Sequence, residues 1–209
     1  MTVTETSKFI VAMIIMMNPL SSLSIFLDLT HKTSFSEQQK TALHATIAML
    51  IIMLLSLWTG EGLLNILGIR VPSFRIAGGI ILLLMGLSML QSRESAVSHT
   101  SDDDVAAKKR HSVAVVPIAL PVIIGPGAIS TLIIAAGDFP MLTNKLWMTS
   151  ICFALAIGMG IMLYYAAQIA KFVGASVIKV VTRIMGMIIM AIAVGMLADG
   201  LIGLFPKLQ

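Results

Sequence analysis

Charge is scarce in this chain. Asp, Glu, Lys and Arg make up 11% of its 209 residues, against about 25% in an ordinary soluble domain. That shortage argues against a soluble domain. The excess of Lys and Arg over acids, +4 at pH 7, is then loop charge beside a lipid bilayer, and no nucleic-acid partner is expected. Cysteine occurs once, at Cys152 in an apolar run, so an intramolecular disulfide is excluded and the residue reads as a small buried hydrophobe. No H-E-x-x-H or G-x-S-x-G is present, and His44 is the only histidine within an apolar run. Those absences argue against a membrane metalloprotease or serine hydrolase, and the expectation is not an enzyme. No Walker A motif occurs, so pumping driven by ATP on this chain is not expected. The 16 methionines come without a His or Cys cluster, so no metal and no cofactor is expected. The first apolar run is followed by no small-x-small cleavage site and reads as a retained span.

Apolar residues are abundant, at 57%, with a mean hydropathy of +0.98. About 20 such residues cross a hydrocarbon core. Six runs qualify: residues 9–27, 41–67, 73–90, 112–137, 146–170 and 181–205. Polar loops are expected at 28–40, 138–145 and 171–179, with a tight turn at Gly68 to Pro72. Residues 91–111 hold Asp102-Asp103-Asp104 and Lys108-Lys109-Arg110 and read as a solvated linker. The expected fold is all-α, a polytopic membrane protein of six spans. Its units are residues 1–90, the linker 91–111, and 112–209.

Two runs contain helix breakers: Asn18-Pro19-Leu20-Ser21-Ser22 in the first, and Gly125-Pro126-Gly127-Ala128-Ile129-Ser130-Thr131 in the fourth. Proline removes a backbone donor, and unsatisfied backbone in hydrocarbon survives only where protein or a wet cavity receives it. Spans 1 and 4 are therefore expected to be interrupted near the midplane, around a cavity. Asn is a favoured N-cap and Pro a favoured first helical residue. Asn18 would cap a half-helix starting at Pro19, and Gly125 one starting at Pro126. The two N-termini would offer free N–H groups and partial positive charge to a small zwitterion. Candidate binding residues are Asn18, Pro19, Ser21, Ser22, Gly125, Pro126, Gly127, Ser130 and Thr131. The alternative is that the prolines merely kink two continuous helices.

The breaks recur at an offset of 107 residues. Arg75-Ile76-Ala77-Gly78-Gly79-Ile80-Ile81 recurs as Arg183-Ile184-Met185-Gly186-Met187-Ile188-Ile189 at an offset of 108, with five of seven positions identical. Two units of three spans must enter the membrane from opposite sides, which is a 3+3 inverted repeat. Nine of the 14 Lys and Arg fall in loops 1–2, 3–4 and 5–6, which places the linker in the cytoplasm and both termini outside.

Five motifs in order carry a resemblance: Asn18-Pro19-Leu20, Ser73 to Gly79, Val116 to Pro121, Gly125 to Ser130, and Thr182 to Gly186. Together they resemble the MarC family of bacterial inner-membrane proteins. The resemblance covers nearly the whole chain. It implies six spans in the inner membrane, with periplasmic termini under the orientation above, and a grouping with neutral amino acid transporters, some linked to alanine and glycine.

Glu61, Arg75, Arg183 and Asp199 are the ionisable residues within or at the ends of spans. They read as ion pairs, either a gate or a helix lock. The leading function is a secondary transporter of a small neutral solute by alternating access, with H⁺ or Na⁺ as a possible coupling ion and the oligomeric state open. A non-transporting scaffold or accessory subunit is the rival, and a channel is a further transport reading. Pairs of small residues four apart, such as Ala154/Gly158 and Ala156/Gly160, are expected to pack helices.

Overall fold

The structure is a computed structural model that describes residues 1–30, 33–90 and 124–205. Among these residues the chain is all-helical. The helices are α1 (Val3–Met17), α2 (Pro19–Thr30), α3 (Phe35–Ile66), α4 (Val71–Leu90), α5 (Pro126–Asp138), α6 (Leu142–Tyr164) and α7 (Ala166–Leu204). Five segments among the described residues are long and apolar enough to cross a membrane: Val3–Leu27, Phe35–Ile66, Val71–Leu90, Leu142–Tyr164 and Val180–Leu204. The expected linker and the first part of the expected fourth span, residues 112–123 with Pro117 and Pro121, lie outside the described residues.

Helix starts follow local chemistry. Thr2 and Glu5 form a capping box on α1, and Ser34 and Glu37 form another on α3. Each satisfies two backbone or side-chain donors at the helix start. The second box begins α3 at Phe35, inside the loop expected at 28–40. The loop expected at 171–179 is also helical, because α7 runs unbroken through its 39 residues. That is about 58 Å at 1.5 Å per residue, nearly twice a hydrocarbon core of about 30 Å. Lys171 and Lys179 mark where the chain leaves an apolar run. With no proline between them, nothing there ends the helix. The break falls instead at Tyr165 (φ −99°, ψ 20°), inside the expected span 5.

Two antiparallel helix pairs form the frame. In α4 and α7, Pro72 faces Gly200, Gly79 faces Ala193, and Gly86 faces Gly186. A Cβ on Gly86 would lie 2.7 Å from the Gly186 carbonyl oxygen, and one on Gly186 would lie 2.9 Å from that of Gly86. The absence of side chains lets the two backbones touch. In α3 and α6, Trp58 Nε1 donates to Thr149 Oγ1 at 3.1 Å, and Gly160 packs on Thr46. The buried stripe of α3 is Ala42, Ala45, Met49, Met53, Leu57, Gly60 and Leu64, at the three-and-four spacing of one helix face. Met13, Met49, Met53 and Met148 are fully buried, and flexible thioethers fill this core. Ile47, Ile51, Leu55, Ile157 and Ile161 point outward, as a lipid-facing surface requires.

The pair Ala154/Gly158 does not pack a helix. Both residues are exposed, and nothing lies within 4 Å of a Cβ placed on Gly158. Ala156/Gly160, two positions on, carries the contact with α3. Gly86→Val is therefore expected to lower stability by about 1–3 kcal/mol through overpacking. Gly158→Ala is expected to raise it by about 0.5–1 kcal/mol through helix propensity. Thermal unfolding of the two variants in detergent micelles, measured side by side, checks both signs.

Candidate functional site

The first break is built from backbone outward. Asn18 sits in the left-handed region (φ 43°, ψ 69°), and its N–H donates to the carbonyls of Ile14 (3.2 Å) and Ile15 (3.1 Å). Asparagine is one of the few residues that tolerates this conformation at a helix end. Pro19, with no N–H to lose, opens α2, and the Asn18 carbonyl accepts from the Ser22 N–H at 3.0 Å. The Ser22 hydroxyl donates to the Met17 carbonyl at 2.9 Å, which takes up one of the acceptors that α1 leaves at its end.

The Asn18 side chain does not cap α2 as expected. Its Nδ2 donates to Ser21 Oγ at 2.8 Å and to Met89 Sδ at 3.7 Å. Ser21 Oγ lies 3.3 Å from Thr182 Oγ1. A polar chain thus runs from Met89 on α4, through the break, to Thr182 on α7. The left-handed backbone of Asn18 turns its carboxamide toward α4 and α7, and the bonds it makes there fix it.

At the second break, Gly125 is extended (φ −65°, ψ 165°) and caps α5 without a side chain, followed by Pro126 at the first helical position. The Ala128 N–H bonds the Gly125 carbonyl at 3.1 Å, and Thr131 Oγ1 donates to the Gly127 carbonyl at 2.8 Å. A Cβ on Gly127 would overlap Leu82 and lie 3.2 Å from Met16 Sδ. Met16 is two residues before Asn18, so the two breaks are neighbours in space. Ser130, buried, packs against Gly78 of α4.

Among the described residues, Leu82 and Met16 stand against Gly127 between the breaks. A cavity of about 360 Å³ lies nearer the Arg75 end of the bundle. Of the nine residues expected to bind solute, Thr131 alone lines it.

Of the four ionisable candidates, three sit at one end of the bundle. Arg75 Nη2 donates to both carboxylate oxygens of Asp138 at 2.7 Å, and Arg75 Nη1 lies 3.6 Å from Asp199. Glu61 pairs with Lys145 at 3.6 Å. The first group joins α4, α5 and α7, and the second joins α3 and α6. Arg183 is not brought to them: it is sixteen residues before Asp199 on α7, about 24 Å along the axis. The sequence singles out none of Asp138, Lys145 and Met89, and carries Thr182 only as the first residue of a motif. Asp138 and Lys145 open and close an expected loop, and no spacing rule links positions 63 or 84 residues apart to Arg75 and Glu61. Among the described residues no group of His, Cys, Asp and Glu is arranged to hold a metal ion.

The family model for MarC family integral membrane proteins matches residues 3–205. The chain belongs to the MarC family. It is 31% identical over 204 residues to the UPF0056 membrane protein YhcE of Escherichia coli K12, covering 96% of this chain and 94% of that protein. It is 33% identical to a UPF0056 membrane protein of Buchnera aphidicola subsp. Schizaphis graminum, covering 96% and 93%. The UPF0056 inner membrane protein MarC of Salmonella paratyphi A is 27% identical, with 92% of each chain covered. No solved structure matches the chain. This MarC family member is therefore an integral, multi-pass membrane protein.

The geometry of the first break separates backbone from side chain by mutation. Asn18→Ala is expected to cost about 1–2 kcal/mol for the left-handed backbone, plus about 1 kcal/mol for a lost hydrogen bond. Asn18→Gly removes the side chain but keeps the backbone at ease, and is expected to cost about 1 kcal/mol. Equal melting temperatures for the two in detergent would rule out the left-handed break. At the second break, Gly127→Ala and Leu82→Ala are each expected to destabilise. Their double variant should recover about 0.5–3 kcal/mol relative to the sum, read from the same unfolding curves.

Proposed function

We propose that the chain is a secondary transporter of a small neutral solute, a neutral amino acid such as alanine or glycine, working by alternating access. The observation that carries this reading is the Asn18 break. A left-handed residue and a partly buried polar chain stand in the middle of an apolar span, next to the start of a second half-helix at Pro126. Discontinuous helices near the membrane centre are how many transporters build a solute site.

The six-span, 3+3 inverted arrangement belongs to this proposal. The antiparallel pairing of α4 with α7 and of α3 with α6 supports it, since corresponding helices of inverted units run oppositely. Membership of a family with inner-membrane relatives supports an inner-membrane location, and the Lys and Arg count favours both termini periplasmic and residues 91–111 cytoplasmic. Arg75 with Asp138 and Asp199, and Glu61 with Lys145, would then act at the outer gate, and Arg183 toward the inner one. No catalysis is assigned. A coupling H⁺ or Na⁺ is compatible with the reading and is not required by it.

Counterflow of labelled alanine into proteoliposomes tests the proposal. Saturable, trans-stimulated uptake is expected, reduced about tenfold or more in Asn18→Ala, which removes the side chain linking the break to Ser21 and Met89; tenfold is about 1.4 kcal/mol. Uptake without trans-stimulation would mean a channel. No uptake of any neutral amino acid, with both breaks tolerant of substitution, would favour a scaffold or accessory subunit.

A further inference from the structure

We infer that the cavity beside Arg75 is a binding site for a zwitterionic amino acid, with Arg75 taking its carboxylate and Asp199 its ammonium. The solute class rests on the transport reading above. The location does not, because this site is separate from the paired breaks.

The cavity's 360 Å³ is at the small end of ligand pockets, which run from about 300 to 1,000 Å³. Its charged lining residues are Glu5, Lys8, Arg75, Asp138 and Asp199, with the N-terminal Met1 beside them, and its wall descends along α5 to Thr131. That is about 10 Å over seven residues. Phe9, Ile134 and Met196 give the wall an apolar character, suited to a short aliphatic side chain. Below Thr131, among the described residues, Ser130 packs against Gly78, and Leu82 and Met16 stand against Gly127.

The two carboxylates on Arg75 are not equivalent. Asp138 receives two short hydrogen bonds from Nη2, and the Arg75 side chain is only 18% exposed. That contact orients the guanidinium. Asp199 is 64% exposed and stands 3.6 Å from Nη1, beyond the 2.7–2.9 Å of a charge-assisted hydrogen bond. Nη1 therefore faces the mouth with a loose partner. A zwitterion exchanges that one loose pair for two close ones: its carboxylate on Nη1 and its ammonium on Asp199. A carboxylate without an ammonium would crowd Asp199 with like charge, and an amine without a carboxylate would face Arg75. At the Arg75–Asp199 pair, each single charge meets one group of its own sign, while Glu5 and Lys8 line the cavity as a second pair of opposite signs. Asp138 is the positioning residue and keeps the planar fork aimed at the mouth.

The test places a reporter thiol in the wall. Ala135→Cys lines the cavity, and Cys152→Ala removes the only native, buried thiol. The purified full-length variant is alkylated with N-ethylmaleimide in the presence of alanine, propionate or alaninamide. Alanine is expected to slow alkylation about tenfold, propionate and alaninamide little. Adding Asp199→Asn should weaken half-protection by alanine about tenfold, and Asp199→Glu should restore it in part; one tenfold step is about 1.4 kcal/mol. Asp199 is exposed, so neither change threatens folding. No protection by alanine, equal protection by all three compounds, or protection unchanged in Asp199→Asn would each overturn the site. Counterflow on the same preparation separates the two proposals. Counterflow without protection overturns this site and leaves the transport reading standing. Protection without counterflow keeps the site and removes the carrier. Neither signal removes both.

Discussion

A backbone amide or carbonyl left without a partner in hydrocarbon costs several kcal/mol, and the break at Asn18 and Pro19 exposes the chain to that cost in the middle of an apolar span. The structure meets it locally. Asn18 turns its N–H back to Ile14 and Ile15, offers its carbonyl to Ser22, and Ser22 covers Met17. Only asparagine or glycine adopts the left-handed conformation without a large penalty, and only asparagine also reaches Ser21 and Met89. The break is thus a folded feature with its own hydrogen bonds, and it positions α2 against α7 through Thr182.

The helices that receive the break can do so because their backbones meet. Gly79, Gly86, Gly186 and Gly200 bring α4 and α7 into contact over the length of α4. Bulkier residues there would move Met89 and Thr182 away from Asn18 and Ser21. The same logic holds Gly78 against Ser130 and Gly127 against Leu82. Small residues therefore decide where the molecule is sealed. The open volume appears at the Arg75 end, where α1, α4, α5 and α7 separate and charged side chains meet water.

That end is held by ion pairs of unequal quality. The Arg75 contact with Asp138 is short and two-pronged; those with Asp199, and between Lys145 and Glu61, are loose. Loose pairs at a solvent-accessible surface are worth about 0–1 kcal/mol, so the Arg75–Asp199 pair, with Asp199 exposed, holds its helices weakly. The pairs join α4, α5 and α7 on one side and α3 with α6 on the other, which makes the mouth a natural place for relative motion.

Much of this was legible in the residues. Composition determined a membrane protein, five of the six apolar runs coincide with helices long and apolar enough to cross it, and Asn18-Pro19 and Gly125-Pro126 marked two helix starts to the residue. The signals are local: hydrocarbon tolerates few charges, and proline and left-handed asparagine act on their own backbone. Helix ends at Phe35 and Tyr165 were misplaced because charge was read as loop, whereas Ser34 capping and an uninterrupted run after Ala166 decide them. Ala154/Gly158 had the packing pattern and faces outward, because spacing does not say which face meets a neighbour. The partners of Arg75 and Glu61, the approach of Met16 and Leu82 to Gly127, and the position of the cavity beside Arg75 were decided by tertiary structure alone. Each depends on contacts between residues tens of positions apart, set by which helix backbones can approach, and one chain's order of residues carries no direct record of that.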